Sequence, residues 1–89
     1  METNVPNLDA MGPDDLMKFS ARHQNGYNAR DLFPELGRGT QRATWDLANY
    51  AGNKATAMRC RLYGDIQAAT MYEGIADRIY EELPPFARW

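Results

Sequence analysis

Apolar positions recur at helical spacing along most of the chain, and its β-branched residues are scattered. The longest stripe is Leu47, Ala51, Ala55, Met58 and Leu62, within a proline-free stretch that predicts a helix over about 41–63 with Thr40 as its cap. A second stripe, Ile66, Ala69, Tyr72, Ala76, Ile79 and Leu83, predicts a helix over about 66–83 that Pro84-Pro85 stops. Between them Gly64 suits the close of one helix and Asp65 the cap of the next. The two form an antiparallel hairpin, with Leu47, Met58 and Leu62 facing Ile66, Tyr72 and Ile79. Gly52 lies inside the first helix beside Ala48, Ala51 and Ala55, a thin flank expected to bend the helix or to admit another backbone.

The pattern before residue 40 is shorter. Gly12-Pro13-Asp14-Asp15 starts a helix, because proline suits the first turn and the carboxylates face the positive end of the helix dipole. Leu16, Phe19 and His23 follow at helical spacing until Asn25-Gly26. Residues 28–33 allow one or two helical turns, and Gly37 and Gly39 bracket Arg38 in a loop. The expected class is all-α: one domain over 1–89, the two long helices, and one or two short amino-terminal helices. Residues 1–11 are expected to be extended or flexible. The aromatic tail over 84–89 is expected to pack back on the hairpin.

Length changes this picture by limiting the core. A chain of 89 residues buries roughly 60% of its unfolded surface, and the single Cys60 excludes an internal disulfide. Association with another chain is the remaining supplement. No run of 18 apolar residues offers a membrane span, and Met1 to Asn7 have no secretory pattern, so a cytoplasmic location and no membrane partner are expected.

Residues 50–81 resemble a single tetratricopeptide-type helical hairpin, with Ala57, Gly64, Ala69 and Ala76 at that family's small-residue spacing. The resemblance implies close packing of two antiparallel helices and an interaction role. No second copy occurs in the chain, so a solenoid is not expected.

Catalytic chemistry finds no support. His23 is the only histidine, and neither Ser20 nor Cys60 lies in a nucleophile motif. Asp14-Asp15 and Glu81-Glu82 diverge on their helices, while Glu73 and Asp77 share a face without a histidine beside them. No enzyme activity, cofactor or metal is expected. Arg78 and Glu82 are spaced for a surface ion pair.

Charge is more informative. The net charge of −2 hides a basic segment, residues 30–61, between acidic flanks. Two functional readings follow. The first is a protein-interaction or scaffold module that associates with itself, as a homodimer, or with another chain, through aromatics in excess of one hairpin interior: Trp45, Tyr50, Tyr63, Tyr80, Phe86 and Trp89. The alternative is a nucleic-acid-binding accessory protein whose phosphate contacts are Arg38, Arg42, Lys54, Arg59 and Arg61.

Overall fold

The computed structural model describes residues 3–89. In chain order its α-helices are α1 (Pro13–Arg22), α2 (Ala29–Leu32), α3 (Thr40–Leu62) and α4 (Ile66–Glu82). Single 3-10 turns occur at Leu8–Ala10, Gln24–Gly26 and Pro85–Ala87, and no strand occurs among the described residues. The two long helices are the predicted hairpin, and the shorter ones precede it.

α3 is the element on which the others pack. At 23 residues it spans about 35 Å, most of the 42 Å long axis of the molecule. α4 lies along one side of it and α1 along another, while the Gln24–Gly26 turn and α2 sit against its first turns. Leu16 and Phe19 of α1, Leu32, Phe33, and Leu47, Ala51 and Ala55 of α3 belong to one buried cluster that Leu8, Leu83 and Ala87 join from the two ends of the chain. Between α3 and α4 the buried residues include Ala57, Ala69 and Ala76. These small side chains let the two helices approach closely.

Gly64 has φ +83° and Asp65 accepts the Ala68 N–H at 3.1 Å, so the punctuation read from the sequence sets the turn. Other expectations need correction. Thr40 is the first residue of α3, not its cap: its hydroxyl donates to the Gly37 carbonyl at 2.9 Å, and Gly39 precedes the helix. α3 ends at Leu62 and α4 at Glu82, one residue short of the expected bounds. α3 runs unbroken through Gly52, and no other backbone comes near it. The nearest group to a Cβ placed there is the Ser20 hydroxyl at 3.0 Å, so the thin flank accommodates a side chain of α1. Leu62 and Ile66 do not fill the hairpin interior. Both are exposed, because α1 begins only at Pro13 and leaves the turn between the long helices uncovered. Arg78 and Glu82 form no ion pair among the described residues.

The first residues are anchored as well. Residues 3–7 have no regular structure, but the Asn4 N–H donates to the Leu32 carbonyl at 2.7 Å and Leu8 is fully buried. The expectation of an extended start for residues 1–2 lies outside the described residues. Asn25 and Gly26 both take positive φ, which turns the chain sharply after α1 and brings Gly26 against α3. A Cβ on Gly26 would meet the Gln41 Cγ and carbonyl oxygen at 2.7 Å. Gly26→Ala is therefore expected to lower stability by about 1–3 kcal/mol in urea unfolding. An unchanged midpoint would contradict the close approach of this turn to α3.

Candidate functional site

Asp9, Tyr50 and Trp89 are far apart in sequence and meet at one carboxylate. The Tyr50 hydroxyl donates to Asp9 Oδ1 at 2.7 Å, the Trp89 indole N–H donates to Oδ2 at 3.1 Å, and the Lys54 ammonium lies 4.0 Å from Oδ1. The 3-10 turn at Leu8–Ala10 presents Asp9, and Asn7 steadies it by accepting the Asp9 N–H. Pro84-Pro85 turns the chain after α4 so that Trp89 packs edge-on against Tyr50 and Tyr80, with ring centroids 4.7 and 4.8 Å away. Arg88 holds the same turn by donating to the carbonyls of Leu83 and Glu81.

A cleft of about 300 Å³ opens beside this cluster, lined by Asp9, Tyr50, Lys54, Asp77, Tyr80 and Glu81. Partial burial pushes the Asp9 carboxyl up, but the hydrogen bonds from Tyr50 and Trp89 and the Lys54 ammonium outweigh it and hold the group below its ordinary value. The same arrangement raises the Tyr50 hydroxyl, through burial first, then the hydrogen bond to Asp9 and the charges of Asp9 and Asp77. Asp9, Tyr50 and Lys54 engage one another across the cleft, so its polar contacts join distant segments of the chain.

The six aromatics expected at an interface therefore divide. Tyr50 is 3% exposed and belongs to the interior. Tyr80 and Trp89 are half-buried in the cluster, and Phe86 packs edge-on against Phe33 at 5.5 Å. Trp45 and Tyr63 are exposed, Trp45 with the Arg42 guanidinium 5.7 Å over its ring. The sequence reading missed a larger feature. Leu62, Tyr63, Ile66, Met71 and Ile75 are 76, 87, 52, 54 and 38% exposed, and all fall between the last residue of α3 and the tenth residue of α4. The signal was present in the helical spacing of Ala68, Met71 and Ile75, a second apolar stripe on a helix already credited with one.

The candidate phosphate contacts are mostly engaged by carboxylates. Arg61 makes a two-pronged bond to Glu73 of α4 at 2.6 and 2.7 Å, Arg59 reaches Asp14 of α1 at 2.9 Å, Arg42 pairs with Asp46, and Lys54 lies by Asp9. The hydrogen bond from Arg61 lowers the Glu73 carboxyl, and the same bond raises the Arg61 guanidinium. Arg38 is exposed in the loop before α3 and has no ion pair among the described residues. The acidic flanks thus neutralise much of the basic middle inside the fold, and Glu73 and Asp77 face different neighbours.

His23 caps the end of α1, buried, with Nδ1 3.1 Å from the Tyr27 carbonyl oxygen and its ring against Phe19. Cys60 is a half-buried free thiol. No group of three or more metal-ligating side chains occurs among the described residues, and no helix is long and apolar enough to cross a membrane. Comparison with family models, with curated proteins and with solved structures returns no match.

Because Asp9 is held below the ordinary carboxyl value near 3.9, its contribution is complete above about pH 4 and is lost as pH falls through the lowered folded value. In a Trp45→Phe background, Trp89 fluorescence is expected to report release of the tail on acidification. Asp9→Ala is expected to show the released signal at neutral pH and to lose about 1–2 kcal/mol of stability, a small figure because Asp9 is half exposed. A neutral-pH spectrum identical to that of the parent would show that Asp9 does not hold the tail.

Proposed function

We propose that this protein is a small helical interaction module that acts through self-association. The observation that carries the reading is the concentration of exposed large apolar side chains over residues 62–75, about the turn of the hairpin. Contiguous apolar surface on a small chain is characteristic of protein interfaces, and closed two-fold dimers are the commonest assemblies. The resemblance of residues 50–81 to a tetratricopeptide-type hairpin supports an interaction role in the same region. Burying this surface would also supply the stability that so short a chain lacks.

Nucleic-acid binding is less favoured, since four of its five candidate cations already hold a carboxylate within the chain. Light scattering on a sizing column over a range of concentrations is expected to give about twice the 10.1 kDa chain mass at high micromolar protein. A constant single-chain mass there would contradict self-association. Labelled DNA and RNA at low salt are expected to stay unbound, and salt-sensitive binding would favour the phosphate-contact reading instead.

A further inference from the structure

A cleft of about 280 Å³ lies between α1, the Gln24–Gly26 turn and the first half of α3, apart from both the Asp9 cluster and the apolar surface over residues 62–75. α1 contributes Met17 and Ser20, the turn contributes Gln24 and Asn25, and α3 contributes Trp45 and Asn49. No charged side chain lines it among the described residues. Its size stands at the lower edge of small-molecule sites, enough for one ring.

Elsewhere the fold puts side chains of these kinds to structural use. Asn4, Asn7, Asn28 and Asn53 hydrogen-bond to the main chain, and the threonine hydroxyls of the long helices, at Thr40, Thr44, Thr56 and Thr70, donate to carbonyls. The other two asparagines, Asn25 and Asn49, and the only serine, Ser20, make no side-chain hydrogen bond among the described residues, and all three line this cleft. Gln24 beside them is equally free. Different groups hold the turn that carries Gln24 and Asn25: His23 Nδ1 lies 3.1 Å from the Tyr27 carbonyl oxygen, Asn28 donates to the Arg22 carbonyl at 2.9 Å, and Gly26 sits against Gln41. The rim is thus set before a ligand arrives, which lowers the cost of binding one.

We propose that this cleft binds a neutral sugar ring. The hydroxyl groups of a pyranose both donate and accept, and so do the amides of Gln24, Asn25 and Asn49 and the hydroxyl of Ser20. The C–H face of such a ring packs on an indole, whose π face is the negative side of its quadrupole. Trp45 is 44% exposed and supplies that face; the Arg42 guanidinium, 5.7 Å from the ring centre and paired with Asp46, covers one side of the indole only. A phosphate or carboxylate ligand would find no cation among the lining side chains. A purely apolar ligand would strip water from four polar side chains and replace none of their hydrogen bonds. A nucleobase could stack on Trp45, but its donors and acceptors lie in one plane, whereas the polar groups here come from three elements around the cleft.

The test titrates the isotope-labelled full chain with methyl glucoside, methyl galactoside and N-acetylglucosamine, each followed by nuclear magnetic resonance. At least one of them is expected to shift the Trp45 indole N–H and the side-chain amides of Asn25 and Asn49 saturably, with a dissociation constant in the millimolar range that a few neutral hydrogen bonds support. Trp45→Ala and Asn49→Ala, both at exposed positions, are expected to keep the parent helicity by circular dichroism and to weaken that binding at least about fivefold. No saturable shift with any of the three sugars would overturn the proposal, as would shifts confined to residues remote from Trp45 or an affinity that both variants leave unchanged. Adenosine, titrated in parallel, is expected to leave these signals in place. Shifts with adenosine and none with the sugars would assign the cleft to a base and overturn the sugar as its ligand.

Discussion

A single carboxylate, that of Asp9, joins the beginning and the end of this chain to its longest helix. Tyr50 of α3, Trp89 of the tail and the ammonium of Lys54 all converge on it. Hydrogen bonds to an ionised acceptor are stronger than neutral ones, and here two of them act across sequence separations of 41 and 80 residues. With the tail in place, Phe86 covers Phe33, and Ala87 and Leu83 join the buried cluster that Leu8 enters from the other side. The core at this end of the hairpin depends on segments that have little structure of their own.

That closure makes the molecule unequal along its length. Leu8 and the tail residues Leu83 and Ala87 pack at one end of the hairpin, whereas apolar residues about the turn at its other end stay exposed. Leu62, Tyr63 and Ile66 are exposed around the turn, and Met71 and Ile75 continue the apolar surface along α4. The charges follow a different rule. Arg59 and Arg61 pair with Asp14 and Glu73, so the basic face of α3 is neutralised by the helices on either side of it and offers less than its sequence promises. Of the two surfaces the sequence suggested, the cationic one is largely consumed by the fold, whereas an apolar one remains.

Helix-level features were legible because they are local. Periodicity, the Gly64-Asp65 pair and Pro84-Pro85 act within a turn or two of themselves, and they placed both long helices to within a residue at each end. The assignment of surfaces was not legible, because it depends on which distant segment arrives. Tyr50 reads as a spare aromatic until Asp9 and Trp89 are seen to enclose it. Leu62 and Ile66 complete apolar stripes in the sequence, yet a stripe is buried only where a neighbouring element reaches it. Gly52 reads as a place for a bend or another backbone, but the group that approaches is the Ser20 side chain. Met71 and Ile75 were missed because one buried stripe already accounted for α4.

The central claim is that the exposed apolar surface over residues 62–75 is covered by a second copy of the chain. Isotope-filtered nuclear Overhauser spectroscopy on a mixture of labelled and unlabelled chains addresses it directly. The account predicts intermolecular cross-peaks from the methyl groups of Leu62, Ile66, Met71 and Ile75. A complete absence of intermolecular cross-peaks from these methyls, at concentrations where the protein is dimeric, would contradict it.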